Sequence, residues 1–532
     1  MTNPPTETEP GSAAPSPKGS FLTSVHGPVF WPAAVLVFVF VLWGAFATDS
    51  LTSAINWIRD NLFGGLGWYY VLLVSIFVIF ALIVGLSKMG NIKLGKDDDE
   101  PDFSTGSWFA MLFSAGMGIG LVFFGAAEPL WHFFSPKPGV EGTPEELGDA
   151  AMTQTILHWG IHAWAIYVIA GLAIAYAVFR KGRPISIRWA LEPLLGDRVK
   201  GALGDVIDVI AILGTIFGVA TSLGIGATQI ATGLGVLNIA EEDPGNPLLI
   251  TIIVIITLVA ITSVVTGLNK GIKWLSNVNV SIAGLLALFV LIAGPTLFIL
   301  REFVQSIGGY LQNILALSFD VTAFQSDAGE AWQNSWTVFY WGWWISWAPF
   351  VGMFIARISK GRTVREFVIG VLGVPVLVSI AWFAIMGGTA LWNNIIGGNT
   401  IDPNDVGSEG SLFAVLDTLP ASELVIGIAV ILIVTFFVTS SDSGSLVVDM
   451  LASGGDPNPP TWSRVFWASV EGAVAIVLLV AGDLGALQVG AVSLGVLFSI
   501  VMIGMVIATW KAFSADPMAV SRPRERAPVS SA

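Results

Sequence analysis

Apolar segments of about 20 residues recur along the whole chain, and each is long enough to cross a bilayer as a helix. Hydrophobic residues make up 54% of the 532 residues and charged residues only 12%, which excludes a soluble globular protein. We therefore predict an all-α polytopic membrane protein with about 12 transmembrane helices. The apolar windows fall at about 29–48, 67–87, 107–131, 153–179, 204–237, 247–268, 275–300, 333–357, 366–393, 424–451, 464–482 and 485–510.

The basic residues predict which side of the membrane each loop faces. An even number of spans leaves both termini on one side. With the N-terminus in the cytoplasm, only Arg59, Lys137 and Arg301 of the 24 Lys and Arg residues lie outside. Because cytoplasmic loops carry the excess of Lys and Arg, we expect a multi-pass protein of a bacterial-type inner (cell) membrane with both termini cytoplasmic.

Four segments are expected to lie outside the spans. Residues 1–25 are polar and rich in Pro, Ser and Thr, which predicts a disordered cytoplasmic tail. Residues 513–532 form a short cytoplasmic tail, whose basic residues suit contact with anionic membrane lipid. Residues 184–197 and 301–322 are predicted at the inner and outer membrane faces, the latter as an amphipathic helix. Plain connecting loops are the alternative.

The span at 333–357 is unusually rich in tryptophan. Phe339, Trp343 and Trp347 fall at i, i+4 and i+8 on a helix, and Trp344 lies three residues before Trp347, so the rings line one side. Aromatic faces attract a cation that cannot donate hydrogen bonds, such as a quaternary ammonium group. An interfacial belt of tryptophan is the alternative, but it explains a cluster within one span less well.

The fourth span carries a second aromatic group. Trp164 and Tyr167 share a helix face at i, i+3, and Trp159 precedes them. If this group faces the eighth span, the two would close an aromatic box. His158 and His162 lie at i, i+4, but no carboxylate or thiol is nearby in the sequence, so no metal pair is expected. The chain has no cysteine, and its four histidines predict no metal-ligand cluster.

Residues that can break a helix occur in two spans. The third span contains SAGMGIG at 114–120, and each Gly costs about 1 kcal/mol relative to Ala in a regular helix. Close helix packing explains such a run as well as an unwound backbone does. An unwound backbone would free carbonyls for Na⁺ and direct helix ends at an anionic group. The eighth span carries its own break signals, Pro349 and Gly352.

Broken helices at matching places in two five-span halves are typical of inverted-repeat secondary transporters. The halves would be spans 3–7 and spans 8–12. This predicts two peripheral helices within 26–100, a first repeat within 101–300 and a second repeat within 323–512.

The tenth span contains a dense group of hydroxyl residues, TSSDS, that includes Thr439 and Ser440. Such hydroxyls usually bond to their own helix carbonyls, but a hard cation such as Na⁺ also needs oxygen ligands. Asp442 and Asp449 are ionisable groups in or near the membrane and are functional candidates for that reason. Asp442 could equally pair with a cytoplasmic arginine as a gate.

The segments that carry these features resemble the betaine/carnitine/choline transporter family, and the sodium/glycine betaine symporters most closely. The likeness covers roughly residues 25–512. It implies a LeuT-type core of two inverted five-helix repeats, usually assembled as a homotrimer. It also implies import of glycine betaine or a similar compatible solute by sodium symport through alternating access. The matching segments are GMGIGLVFFGAAEPLW, HWGIHAWAIYVIAGLAIAY, FYWGWWISWAPFVGMFIARISKGR and VTSSDSGSLVVDM.

The resemblance also implies particular site residues. The central box corresponds to Trp159, Trp164, Tyr167 and Trp344. A second aromatic site nearer the cytoplasm corresponds to Phe339, Trp343 and Trp347. The substrate carboxylate would face the backbone of Gly116, Met117, Gly118 and Gly120. The sodium site would use carbonyls of Ser114, Met117 and Phe436 and hydroxyls of Thr439 and Ser440.

Three departures from related members sharpen this expectation. Gly120 stands where proton-coupled choline members carry Asp. The fifth span contains no Arg, whereas sodium-independent carnitine exchangers place an arginine there as a fixed substitute for the ion. A second sodium site would correspond to Thr215, Val219 and Phe350, but the Val219 side chain cannot ligate an ion. The number of sodium ions therefore stays open.

Other classes of function fit less well. A sodium-independent exchanger and a proton-coupled choline transporter remain the alternatives. Interrupted helices favour a closed midplane site over a channel. No nucleophile–base pair or organic cofactor motif indicates an enzyme, and the net charge of −14 does not indicate nucleic-acid binding.

Overall fold

The protein is built from helices packed side by side. The computed structural model describes residues 24–63, 65–116, 118–241, 245–266 and 269–520, and no β-strand occurs within these ranges. Most of the expected N-terminal tail, Met117 and the basic end of the C-terminal tail lie outside the described residues. The helices are α1 (Gly27–Phe46), α2 (Thr48–Ile58), α3 (Gly67–Leu86), α4 (Thr105–Gly116), α5 (Ile119–Phe134), α6 (Pro144–Trp159), α7 (Ile161–Ala175), α8 (Ile187–Ala190), α9 (Glu192–Leu195), α10 (Ala202–Val236), α11 (Gly245–Thr266), α12 (Asn269–Ala293), α13 (Thr296–Ser318), α14 (Ser326–Gln333), α15 (Phe339–Arg357), α16 (Val364–Trp392), α17 (Pro403–Asp417), α18 (Ser422–Ala452), α19 (Thr461–Ser514) and α20 (Pro517–Val520).

The apolar windows form membrane-length helices. In the described part of the chain, nine helical segments are long and apolar enough to cross a membrane, which confirms the polytopic α-helical class. The long helix α19 leaves helical geometry at Gly482 and Asp483, between the two windows predicted at 464–482 and 485–510. The count of twelve spans stays a prediction, because α4, α5 and α15 are each short or less apolar.

The third span is interrupted at the glycine run, so the unwound backbone is the one of the two open explanations that the structure supports. Helix α4 ends at Gly116 and α5 begins at Ile119, with Gly118 extended between them at φ −157° and ψ −177°. The fourth span has a similar interruption at Gly160, between α6 and α7. There the Ile161 N–H donates to the hydroxyl of Tyr310, 3.0 Å away, on α13.

The predicted break in the eighth span is wrong. Helix α15 continues from Phe339 to Arg357 through both Pro349 and Gly352. Gly352 serves close packing instead, because a Cβ at this position would lie 2.6 Å from the Cβ of Ala170 on α7. The irregular backbone lies earlier, in a π-helical turn at Asn334–Val338.

Close backbone contacts hold α15 at the centre of the bundle, where it packs against α7, α10 and α19. A Cβ on Gly342 would lie 2.8 Å from the Cα of Val492 on α19. Because neither partner is a flexible side-chain end, a larger residue at Gly342 or Gly352 would push α15 away from its neighbour. The tryptophan-rich helix is therefore closely packed on both sides.

Gly352→Ala should destabilise the folded protein, because the added methyl group overlaps Ala170. Overpacking of this kind typically costs about 1–3 kcal/mol. The measurement is the midpoint of thermal unfolding in detergent. Gly427→Ala on α18 is the control, because no atom lies within 4 Å of an added Cβ there. Equal midpoints for the two variants would contradict the close approach of α15 and α7.

Candidate functional site

A cavity lies beside the interruption of the third span. Its walls come from the first turn of α5, the α6–α7 junction, α12, α15 and α18, with one residue each from α10 and α16. Aromatic side chains dominate the side formed by α7 and α15, and hydroxyl groups the side formed by α18. The cavity therefore combines an apolar aromatic wall with a polar wall.

The four residues expected to form the central box all line this cavity: Trp159, Trp164, Tyr167 and Trp344. The ring centroids of Trp159 and Trp344 are 4.9 Å apart, with the planes at 72°. Trp164 and Tyr167 meet edge to face at 5.4 Å, and Tyr167 lies 6.4 Å from Trp344. Side chains from two distant parts of the sequence thus form one continuous aromatic wall.

The residues expected to form a second aromatic site divide between two places. Trp343 and Trp347 line the same cavity as the central box, and Trp343 stacks on Trp344 at 4.7 Å and 15°. Phe339 is not part of the cavity wall. It packs behind the wall, stacked on Trp343 at 5.2 Å and 6.3 Å from Phe124.

Hydrogen bonds hold the indole rings of the wall in place. The Nε1–H of Trp344 donates to the backbone carbonyl of His158 at 2.9 Å. The Nε1–H of Trp159 donates to Glu128 Oε2 at 2.7 Å. Because each of these N–H groups is hydrogen-bonded to a protein oxygen, the apolar surfaces of the rings are left to line the cavity.

The glycines of the interrupted span lie where backbone and rings come close together. Gly118 and Gly120 line the cavity, and Gly116 is the last residue of α4. A Cβ on Gly120 would lie 2.7 Å from Trp343 Cη2 and 3.1 Å from Trp159 Cη2. With both indole rings in these positions, only glycine fits at position 120.

Hydroxyl groups of α18 form the polar wall. Phe436, Thr439 and Ser440, three of the expected sodium ligands, line the cavity. The Thr439 hydroxyl donates to the carbonyls of Thr435 and Phe436, each 3.1 Å away. The hydroxyl thus bonds back to its own helix and still presents oxygen to the cavity. The side chain of Ser114 and all of Met117 lie outside what the structure describes.

Asn279 is a polar residue of the cavity that was not among the expected ligands. Asn279 on α12 lines the cavity, and its Nδ2–H donates to Thr439 Oγ1 at 3.0 Å. A carboxamide in an apolar span is a signal that sequence reasoning can use. We did not predict Asn279, because no motif links α12 to α18.

The expected second ion site is not gathered at the cavity. Phe350 lines the cavity, but Thr215 and Val219 do not. The Thr215 hydroxyl donates to the carbonyl of Ala211 at 2.8 Å within its own helix. Both Thr215 and Val219 are fully buried in helix packing.

The acidic residues of α18 lie beyond the cavity wall. Asp442 forms an ion pair with Arg464 on α19, at 3.0 Å between Oδ1 and Nη2. Pairing with an arginine was one of the roles that the sequence suggested for Asp442. Asp449 accepts a hydrogen bond from the hydroxyl of Ser463. Both carboxylates are buried.

The histidines depart from expectation. Glu128, His132 and His158 lie together, with potential ligand atoms within 4.8 Å of one another, so the prediction of no such cluster is wrong. Glu128 is 30 residues from His158, and only the packing of α5 against α6 brings them together. His162 is elsewhere, with Nε2 2.8 Å from Ser318 Oγ.

Comparison with known proteins shows the family. The model of the BCCT, or betaine/carnitine/choline, transporter family matches residues 28–518. The glycine betaine transporter OpuD of Bacillus subtilis is 46% identical over 490 residues, covering 92% of this chain and 94% of the relative.

Two further relatives cover most of the chain. An uncharacterized transporter of Mycobacterium tuberculosis is 49% identical over 507 residues, covering 94% of this chain and 85% of the relative. A glycine betaine transporter of Acinetobacter baylyi is 41% identical over 497 residues, covering 92% and 73%. The chain therefore belongs to the betaine/carnitine/choline family, whose members are membrane transporters and not enzymes.

Proposed function

We propose that this protein imports a quaternary ammonium compatible solute, with glycine betaine first among the candidates, by sodium symport through alternating access. The observation that carries the proposal is the shared cavity of Trp159, Trp164, Tyr167 and Trp344 beside the interrupted third span. Relatives named glycine betaine transporters cover nearly all of the chain, which supports the choice of solute.

The aromatic wall suits a trimethylammonium head. Such a head is weakly hydrated and cannot donate hydrogen bonds, so ring faces replace its water at little cost. Each well-placed ring contributes about 1–2 kcal/mol once the cation is desolvated. The carboxylate of the solute would face Gly118 and Gly120, where α5 begins and its N-terminal amides favour an anion.

The hydroxyl wall suits Na⁺. Thr439 and Ser440 line the cavity together with Phe436. Their hydroxyl groups suit Na⁺, which takes oxygen ligands as other hard cations do. Carbonyls of Ser114 and Met117, near the end of α4, would complete the site. An ion bound between the interrupted third span and α18 would stabilise one relative arrangement of these two segments. Coupling requires that the solute stabilise the same arrangement.

Uptake should depend on sodium. Cells lacking their own uptake systems would express the protein, and initial uptake of radiolabelled glycine betaine, proline betaine, choline, carnitine, proline and ectoine would be measured in Na⁺ and K⁺ media. We expect betaine uptake to fall on the order of 10-fold or more in K⁺, because a coupled ion contributes its binding energy only when present. Equal rates in the two media would instead support a sodium-independent exchanger or a proton symporter.

A further inference from the structure

A buried carboxylate lies directly behind the aromatic wall. Glu128 on α5 is 0% exposed and does not line the cavity. Its Oε2 accepts hydrogen bonds from the Nε1–H of Trp159, at 2.7 Å, and from the hydroxyl of Tyr340. Its Oε1 lies 2.6 Å from His158 Nδ1 and 3.3 Å from His132 Nε2. One carboxylate thus has four hydrogen-bonding partners.

The partners of His158 indicate that this carboxylate is ionised. His158 Nε2 lies 3.1 Å from the amide nitrogen of Gln154 and 3.1 Å from Thr337 Oγ1. With the amide as donor, Nε2 accepts, and a neutral imidazole then carries its proton on Nδ1. His158 therefore donates to Oε1 while Trp159, which is only a donor, donates to Oε2. Donors directed at both oxygens favour the charged form of the carboxyl group, which accepts at either oxygen without a proton of its own to place.

The carboxylate contacts the wall that would receive the solute. Trp159 joins it to the cavity, because its N–H bonds Glu128 while its ring lines the site. Tyr340, bonded to the same oxygen, lies 5.8 Å from Trp344 between ring centroids. A hydrogen bond to an anion polarises the donor, which makes the indole of Trp159 more electron-rich and a better partner for a cation.

We propose that Glu128 is an ionised positioning residue that fixes the Trp159 ring and gives the aromatic wall its preference for a positively charged head. This inference rests on the proposed function. The negative charge lies one side chain away from the cavity, where low polarity weakens screening. An uncharged head of the same shape would gain the packing of the wall but not this electrostatic term.

The test compares Glu128→Gln with the unmodified protein. Dissociation constants in detergent, from tryptophan fluorescence, would be measured for glycine betaine and for 3,3-dimethylbutanoate, in which a neutral tert-butyl group replaces the trimethylammonium head. We expect betaine binding to weaken roughly 10-fold or more, because hydrogen bonds to charged groups are about twice as strong as neutral ones. Binding of the neutral analogue should change little, so discrimination between the two falls.

A matched control and a double-mutant cycle separate positioning from simple damage. Glu302→Gln changes another buried carboxylate, bonded to Ser306 Oγ at 2.7 Å on α13, and should leave both dissociation constants unchanged. Trp159→Phe keeps a ring and removes the N–H. If Glu128 acts through that N–H, Glu128→Gln should weaken betaine binding less in the Trp159→Phe protein than in the unmodified one.

The outcomes distinguish this inference from the proposed function. If the unmodified protein binds no quaternary ammonium compound, the proposed function fails. If it binds betaine and Glu128→Gln leaves discrimination unchanged, the inference about Glu128 fails alone. Where Glu128→Gln does not fold, Tyr340→Phe removes one donor and keeps the ring. Altered discrimination by that variant supports the inference, and unaltered discrimination overturns it.

Discussion

Trp344→Leu should abolish saturable uptake of glycine betaine at low concentrations. The Trp344 ring is shared by the whole wall: it lies 4.7 Å from Trp343, 4.9 Å from Trp159 and 6.4 Å from Tyr167 between centroids. Its loss removes one cation–π partner and the packing support for its neighbours. Together these losses weaken binding of the ammonium head by about 2–4 kcal/mol. Such a loss raises the Michaelis constant on the order of 30-fold or more. Initial uptake against betaine concentration measures it.

Two further variants decide what the effect means. Trp344→Phe keeps an aromatic face and should retain part of the affinity that the leucine variant loses. Trp510→Leu removes an indole that is 46% exposed on α19 and should leave the Michaelis constant unchanged. An unchanged constant in Trp344→Leu, with normal amounts of protein in the membrane, would contradict the role of the cavity in binding the ammonium head.

The spacing of aromatic residues along one helix was sufficient to predict an aromatic wall. It did not predict which residues of that helix and of other helices form the wall. The spacing of Trp343, Trp344 and Trp347 places them on one side of α15, and the structure agrees. Which other helix that side meets depends on packing, so from the residues alone Trp159 and Tyr167 were expected in the box only on the condition that the fourth span faces the eighth. Phe339 satisfies the same spacing and still lies behind the wall, since a helix face is wider than the cavity it borders.

Break signals were a less certain guide than hydrophobic periodicity. The glycine run of the third span interrupts its helix, whereas Pro349 and Gly352 do not interrupt α15. Glycine has two uses in a span, unwinding and close approach, and only the neighbouring helix decides between them. At Gly352 that neighbour is Ala170, more than 180 residues away in the sequence, so no local pattern could reveal it.

Buried polar groups were the hardest features to predict. Glu128 and His158 lie on different helices, and their contact at 2.6 Å exists only because α5 packs against α6. Asn279 reaches Thr439 in the same way, from α12 to α18. A sequence shows that such residues are costly in a membrane, but it does not show which partner offsets the cost.

Thr439→Ala should raise the sodium concentration required for half-maximal uptake. Thr439 lines the cavity, and its hydroxyl accepts the hydrogen bond from Asn279 at 3.0 Å. If this hydroxyl binds the ion as proposed, its removal takes away one oxygen ligand and leaves the Asn279 amide without this partner, at a combined cost of about 1–3 kcal/mol. The half-saturating sodium concentration should rise roughly 10-fold, while betaine uptake at saturating sodium is largely retained. Uptake measured against sodium concentration at fixed betaine gives both values.

Thr435→Ala is the matched control one helical turn earlier on α18. The Thr435 hydroxyl donates to the carbonyls of Ile431 and Leu432, each 2.9 Å away, and does not line the cavity. Its loss should therefore leave the sodium requirement unchanged. Equal sodium dependence in both variants would place the coupling ion away from α18, and the hydroxyl wall would then serve helix packing or the solute alone. A selective effect at Thr439 would tie the ion to the helix that borders the interrupted third span, where the proposed sodium site lies.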